Sequence, residues 1–210
     1  MIIKAQKGRG KKIHILIDDE YKLTVSQDFW FGQSILSGDE ITDEEFAAFE
    51  EAASSNRALT RAVGILSNRD HCAKELERKV ARTNAPEYAH EAVERLKELG
   101  YLDDERYARN LSEELYQRRR MSPRRIEQEL IARGVDRDTA SLCAQELEGD
   151  EKKIIIELLQ TKFKGKFSDE KSKRRTYNAL LRLGYSSSDI FGAMREVDDC
   201  LEDDYIYTDY

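Results

Sequence analysis

Adjacent aspartates at positions 103 and 104 are the side chains that most resemble a catalytic or metal-binding pair of carboxylates. They follow a Gly-Tyr-Leu segment in which Gly100 can adopt the left-handed conformation that ends a helix. An aspartate at the start of the next helix would accept hydrogen bonds from its free N–H groups and stabilise its positive end. We therefore interpret the segment as a structural motif that closes one helix and opens another, made of Gly100, Tyr101, Leu102, Asp103 and Asp104.

Histidine and cysteine are the next candidates for chemistry, and neither forms a pattern typical of a site. His71 and Cys72 could act as a base and a nucleophile, but neighbouring helical residues point in different directions. The histidines and cysteines are too widely spaced for a recognisable metal site, and we expect reduced thiols, no metal and no cofactor. They are Cys72, Cys143, Cys200, His14, His71 and His90. The sequence also has no glycine-rich phosphate loop, HExxH motif or Ser-His-Asp spacing, so we predict that the protein is not an enzyme.

The strongest binding signal is a cluster of arginines at the junction of two predicted helices: Arg118, Arg119, Arg120, Arg124 and Arg125. A charge run of this kind can be no more than a solvated surface. However, like charges so close together repel one another unless anions lie nearby, and guanidinium groups match the geometry of carboxylates and phosphates. We predict that these arginines, together with the downstream Arg133, bind an acidic partner or DNA.

A second basic region lies between Lys152 and Arg182, where ten basic residues accompany three acidic ones. Its densest part adds four binding candidates: Lys171, Lys173, Arg174 and Arg175. The neighbouring Tyr177 could stack on a nucleic-acid base or enter the core, and the core is the preferred interpretation.

Charge is unevenly distributed along the chain. The formal net charge is −7, and seven of the 42 acidic residues follow Arg195, where there is no basic residue. The preceding part is therefore neutral, with 35 acidic and 35 basic side chains. We expect residues 199–210 to form a disordered acidic tail that competes with phosphates or with an acidic partner for the second basic region.

Composition and hydropathy limit the class of protein. No apolar run is long enough to cross a bilayer, and the basic beginning is not followed by the apolar stretch of a signal peptide. The sequence therefore favours a cytoplasmic protein. Because 40% of the residues are apolar and 37% are charged, the chain is better suited to small helical units than to one wide core.

Secondary-structure patterns divide the chain into a strand-rich beginning and a helical remainder. Alternating apolar residues and turn signals predict strands within residues 1–25. Ser26 and Thr42 are predicted to cap two short helices, the second through a capping box with Glu45. From residue 56 onward, caps and apolar spacing predict nine helices with short connections. They span residues 57–68, 70–83, 86–99, 103–120, 122–133, 136–148, 150–164, 168–183 and 186–198.

The helices form a repeat with a period of 50 residues. Val80, Leu130 and Leu180 each lie four residues before a residue that tolerates the left-handed conformation, namely Asn84, Gly134 and Gly184. The sequence therefore predicts a mainly α fold, with three tandem three-helix repeats in an elongated, curved array after a small N-terminal β-sheet. The predicted boundaries are 1–55 for the extension, 56–101, 102–149 and 150–198 for the repeats, and 199–210 for the tail.

These motifs resemble the RecX family, whose members regulate the RecA recombinase. The similarity lies in Gly-Tyr-Leu-Asp-Asp-Glu-Arg-Tyr-Ala at 100–108, in the segment from Arg124-Arg125 to Val135, and in Arg69, Glu75-Leu76 and Lys79. It covers residues 57–195, and the strand-rich beginning resembles the N-terminal extension of some members. The resemblance implies three tandem three-helix repeats, in agreement with the period above. It also implies a non-catalytic, monomeric modulator, chiefly an inhibitor, that binds along the RecA filament on single-stranded DNA and alters its assembly, ATP hydrolysis and strand exchange.

Two other functions are compatible with helical triplets. A helix-turn-helix-like protein acting directly on DNA would need a recognition helix with Asn, Gln or Arg for base edges. The third helix of each predicted triplet is instead acidic or neutral, which argues against this function. A purely structural scaffold would leave the arginine cluster without a role.

Overall fold

The computed structural model describes residues 1–147, 149–165 and 169–206, with side chains described as far as Asp198. It divides into two compact units, Met1–Asp103 and the part from Asp104 onward. The described residues form ten helices and a three-stranded sheet near the N-terminus, which confirms the predicted mainly α fold. Within this part of the chain, no helix is both long and apolar enough to span a membrane.

The elements follow one another in a simple order along the chain. They are β1 (Ile3–Lys7), β2 (Lys12–Ile17), β3 (Glu20–Ser26), α1 (Gln27–Phe31), α2 (Asp43–Leu66), α3 (Ala73–Val80), α4 (Pro86–Glu98), α5 (Asp104–Arg119), α6 (Pro123–Arg133), α7 (Arg137–Gln145), α8 (Glu151–Gln160), α9 (Glu170–Arg182) and α10 (Ser187–Ile206).

The sheet is antiparallel, with β2 between β1 and β3. Along β2, Ile13, Ile15 and Ile17 are buried at every second position, as the two-residue period of a strand requires. They share a core with Trp30 and Phe49, whereas the neighbouring Phe31 is 70% exposed and does not contribute to that core.

Helix α2 is the largest departure from the predicted elements, because it runs unbroken from Asp43 to Leu66. It begins at the expected capping box between Thr42 and Glu45. The predicted break near residue 55 was wrong. Ser54, Ser55 and Asn56 are weak helix formers, but each costs only about half a kcal/mol in a helix. That cost is offset because α2 packs in the core of the sheet before this segment and in the core of the first repeat after it. The predicted boundary between the extension and the first repeat therefore lies inside α2.

The helices pack in three successive groups of three. Helix α2 contacts α3 and α4, α5 contacts α6 and α7, and α10 contacts both α8 and α9. The first group closes around a core that includes Leu76, Val80 and Leu96, and the third closes around Ile155, Leu180 and Ile190. The tandem three-helix repeats are thus confirmed.

The end of the first repeat lies later than the predicted boundary after residue 101, because Leu102 packs in the first core. Gly100 has a φ of 74°, and this left-handed turn folds the chain back over α4. The N–H of Tyr101 then donates to the carbonyl of Leu96 at 2.9 Å.

The middle helices of the repeats end in two different ways. Gly134 and Gly184 have the predicted left-handed conformation. Asn84 does not, and its side-chain amide instead donates to the carbonyl of Val80, where α3 ends, at 3.1 Å.

At the far end of the chain, α10 runs to Ile206, beyond its predicted end at 198, and so includes the first part of the predicted acidic tail. The tail's side chains and residues 207–210 lie outside the described residues, as does Ser168. Asp169 caps α9, because its side chain accepts a hydrogen bond from the N–H of Ser172 at 2.9 Å.

Candidate functional site

The arginine cluster lies where α5 ends and α6 begins, and we call residues 118–125 the arginine junction. Helix α6 opens with Pro123, whose fixed φ suits the first helical position. Ser122 caps it, because its Oγ accepts a hydrogen bond from the N–H of Arg125 at 3.3 Å. Just before the cap, Arg120 has a left-handed φ of 53°, which a residue with a side chain adopts only when its surroundings support it.

Tyr185 from the third repeat supplies this support. Its hydroxyl donates to the carbonyl of Arg120 at 2.7 Å, and its side chain is almost fully buried. Burial raises the pKa of Tyr185, and the nearby carboxylate of Glu151 raises it further, so the phenol keeps its proton and remains a donor. In addition, Nη2 of Arg120 lies 2.9 Å from Oε1 of Glu157 on α8. The third repeat therefore holds both the main chain and the side chain of Arg120.

A second contact between the same repeats involves Ser122 and Gly184. The N–H of Ser122 donates to the carbonyl of Leu183 at 2.9 Å. A Cβ atom at Gly184 would overlap Oγ of Ser122 and Cβ of Arg125, and Gly184 also has a left-handed φ of 96°. Only glycine fits this position without displacing its neighbours. The turn between α9 and α10 is thus seated directly on the start of α6.

The arginines of the junction differ in how far they are neutralised. Arg118, Arg119 and Arg124 are exposed, and among the described residues no carboxylate oxygen lies within 4 Å of their guanidinium groups. Arg125 is half-buried, with Nη2 3.9 Å from Oε2 of Glu129. Its Nε is buried and has no hydrogen-bond partner in the described structure. A negatively charged ligand would relieve both the repulsion and the unmet hydrogen bond.

Arg124 and Arg125 line a groove of about 440 Å³ together with Gln128, Arg182 and Tyr185. Arg182 was not among the predicted site residues, although it ends the basic region recognised in the sequence. Tyr185 and Gly184 were missed as well, because their contribution arises from contacts between repeats. Arginines from two repeats thus line the groove: Arg124 and Arg125 from the second and Arg182 from the third.

Arg133 is engaged within the second repeat. Its Nε and Nη2 lie 3.2 and 3.1 Å from Oε1 of Glu129, and its Nη1 lies 3.4 Å from the hydroxyl of Tyr107. The side chain is only 26% exposed. These contacts give Arg133 a structural role, and its part in binding stays a prediction.

The densest part of the second basic region lies on α9. Lys171, Arg174 and Arg175 are exposed, whereas Nζ of Lys173 lies 2.7 Å from Oδ2 of Asp198 on α10. Tyr177 packs partly against the core of the third repeat, in line with the preferred interpretation, and its hydroxyl donates to Oγ of Ser187 at 3.0 Å.

The residues first considered for catalysis have structural surroundings. Helix α5 begins at Asp104, so Asp103 lies directly before its first turn. Cys72 occupies the same position before α3 and is fully buried. No group of three or more His, Cys, Asp or Glu side chains arranged for a metal ion occurs in the described parts of the chain.

His71 and Glu75 form a buried pair in the first repeat. Nδ1 of His71 lies 3.2 Å from Oε2 of Glu75, whose other oxygen lies 2.8 Å from Arg69 and 3.3 Å from Lys79. Burial opposes ionisation of Glu75, but the adjacent imidazole of His71 and the ammonium of Lys79 outweigh it and lower the pKa to about 2. Burial also lowers the pKa of His71. His71 and Glu75 therefore belong to an electrostatic network with Arg69 and Lys79.

Comparison with known proteins gives a consistent result. Residues 103–141 match the model of the second three-helix domain of RecX. The regulatory protein RecX of Caldanaerobacter subterraneus subsp. tengcongensis is 32% identical over 156 residues, which cover 74% of this chain and 78% of that protein. RecX of Xanthomonas campestris pv. campestris is 36% identical over 144 residues, 65% of this chain and 85% of that one. A crystal structure of regulatory protein RecX has a similar fold, with a TM-score of 0.61 at 18% identity, over 89% of this chain and 94% of the other.

Proposed function

Because the chain belongs to the RecX family of regulatory proteins, we propose that it is a non-catalytic modulator, chiefly an inhibitor, of the RecA recombinase. It binds as a cytoplasmic monomer along the RecA filament on single-stranded DNA. There it alters filament assembly, ATP hydrolysis and strand exchange during DNA repair and recombination.

The observation that carries this proposal is the state of the arginine junction. Arg118, Arg119 and Arg124 are exposed without a carboxylate within 4 Å in the described structure, next to a main chain that the third repeat holds in place. Holding several guanidinium groups close together is electrostatically unfavourable unless an anionic ligand compensates. A filament of protein on single-stranded DNA offers such anions as acidic side chains and as phosphates.

Direct, sequence-specific reading of duplex DNA is the weaker alternative. The third helix of the first repeat, α4, exposes Glu87, Glu91 and Glu94, which would repel phosphates near the major groove. The densest clusters of basic groups lie instead at the arginine junction and on α9. This distribution supports contact with an extended anionic surface rather than insertion of a recognition helix.

The test is the rate of ATP hydrolysis by RecA on single-stranded DNA, measured with and without an equal concentration of this protein. We expect hydrolysis to fall and filaments to shorten. Unchanged hydrolysis, filament length and strand exchange at stoichiometric protein would refute the proposal.

A further inference from the structure

The third repeat presents a pair of stacked aromatic rings to solvent. The rings of Tyr177 on α9 and Phe191 on α10 have centroids 4.9 Å apart and planes inclined by 32°. Phe191 is 62% exposed. The outer face of this pair is therefore available for contact.

Packing of the repeat does not account for the position of Phe191. Up to Asp198, where the described side chains end, the buried residues of α10 are Ile190, Ala193, Met194 and Val197, which follow the helical spacing of an inward-facing stripe. Phe191 lies one residue outside that stripe and adds little to the core. Single exposed apolar residues are common on protein surfaces, so the ring alone indicates nothing. Its surroundings make the difference.

Those surroundings are cationic. The rings line a groove of about 760 Å³ together with Lys173, Arg174 and Arg195. Two carboxylates also line it: Glu170 and Asp198, the second of which pairs with Lys173 at 2.7 Å. Arg174 and Arg195 are exposed, and Lys171 and Arg175 add positive charge nearby on α9. The balance of charge around the rings is positive.

We propose that Tyr177 and Phe191 form a stacking platform for an unpaired base of single-stranded DNA, whose phosphates lie against Arg174 and Arg195. Exposed aromatic rings that alternate with cations are the usual means of holding a single strand without regard to sequence, because every base offers a flat face. In a duplex those faces are hidden between neighbouring bases, so the platform selects unpaired strands. The positive groove favours this occupant over an apolar protein segment. The inference rests on the proposed function and names one contact by which the chain reaches the DNA.

The experiment compares two fluorescein-labelled strands of equal length, an oligothymidylate and a strand made only of abasic units. Both carry the same phosphates, and only the first carries bases. Fluorescence anisotropy should show the wild-type protein binding the oligothymidylate about tenfold more tightly than the abasic strand, the scale of one base stacked on one aromatic ring. Phe191→Ala should remove that preference and leave the affinity for the abasic strand unchanged. Phe191→Trp should restore it.

Leu142→Ala is the matched control, because Leu142 is also an exposed apolar residue on the third helix of a repeat. It should retain the preference for bases. The platform is wrong if wild-type protein binds both strands equally, or if Phe191→Ala weakens binding to both by the same factor. It is also wrong if sedimentation shows that Phe191→Ala abolishes a dimer, since a second copy would then cover the rings.

The result can be separated from that of the RecA assay. A wild-type protein that slows ATP hydrolysis by RecA but shows no preference for bases would retain the proposed function and lose the platform. The reverse pattern would retain the platform and lose the proposed function.

Discussion

The hydroxyl of Tyr185 donates a hydrogen bond to the main-chain carbonyl of Arg120, a residue 65 positions earlier in the chain. The bond joins the second and third repeats at the point where the arginines are concentrated. The third repeat therefore acts as a positioning element for the arginine junction. This relationship has a direct experimental consequence.

Tyr185→Phe removes the donor and leaves a partly buried carbonyl without this partner. We expect the free energy of unfolding to fall by about 1–2 kcal/mol, the usual effect of such a loss. The affinity for single-stranded DNA should also fall, because Arg120 then loses support for its left-handed backbone. Urea denaturation and anisotropy measure the two effects. Tyr177→Phe, which loses only an exposed hydroxyl bond, serves as the control, and an equal loss of stability in both variants would contradict the positioning role.

Gly184→Ala and Gly100→Ala form a matched pair of substitutions. Both glycines have left-handed backbones, but a Cβ at Gly100 meets nothing within 4 Å, whereas one at Gly184 overlaps Ser122 and Arg125. Gly100→Ala should cost about 1–2 kcal/mol for the backbone alone. Gly184→Ala should cost more and should weaken DNA binding, because it displaces α6 from its seat on the third repeat. Equal unfolding midpoints for the two variants would show that the contact at Gly184 has no energetic weight.

Charge reversal of the exposed arginines tests their role in binding. Arg119→Glu combined with Arg124→Glu should preserve the helical circular dichroism, since both side chains are exposed. It should weaken single-strand binding and reduce the slope of log affinity against log salt by about 0.7 for each phosphate that the variant leaves without a cation. Arg57→Glu combined with Arg61→Glu makes the same charge change on the exposed face of α2. If the control pair loses as much affinity, the effect is one of net charge and not of the junction.

The buried Glu75 predicts a loss of stability in acid. Its pKa is about 2 in the folded protein against an ordinary 4.5, so the unfolded chain takes up a proton first as the pH falls. The stabilisation is complete above pH 4.5 and is lost between there and about 2. The pKa of His71 is also lowered, so acidification below its ordinary 6.5 favours the unfolded state as well. The urea midpoint of the wild-type protein should therefore decrease as the pH is lowered from neutral. Below pH 4.5, the midpoint of Glu75→Gln should decrease less steeply than that of the wild-type protein. Parallel curves for both proteins would contradict this.

The acidic C-terminal segment remains a candidate competitor for the second basic region. Asp198 already pairs with Lys173, and Glu196 pairs with Lys152 at 2.7 Å. Replacing Glu202, Asp203, Asp204 and Asp209 by their amides should strengthen binding to single-stranded DNA and steepen its dependence on salt. A salt titration beside the wild-type protein measures both. Weaker binding by the variant would instead mean that these carboxylates contact the partner.

Local sequence patterns were sufficient to predict most of the helices and strands and to locate the arginine cluster. The alternation along β2 and the caps at Ser26 and Thr42 depend on residues close in sequence, and the structure contains each of them. The unbroken course of α2 depends on packing against two cores, which weak helix formers near residue 55 do not reveal.

The close contact between Gly184 and Ser122 could not be predicted from the sequence either. A left-handed glycine at the end of a helix looks the same whether it faces solvent, as Gly100 does, or a neighbouring repeat. The arginines could be read as a binding cluster, but the group that fixes them comes from another repeat. Whether such a glycine faces solvent or a neighbouring repeat therefore depends on contacts between residues far apart in the sequence.

Helix α2 also determines how the N-terminal sheet can serve the rest of its unit. Its 24 residues form a rod about 36 Å long that enters the core of the sheet at Phe49 and the core of the first repeat at Ala58 and Ala62. No loop separates the two cores, because one unbroken helix contributes side chains to both. The sheet and the first repeat are therefore joined by continuous helical backbone rather than by a linker.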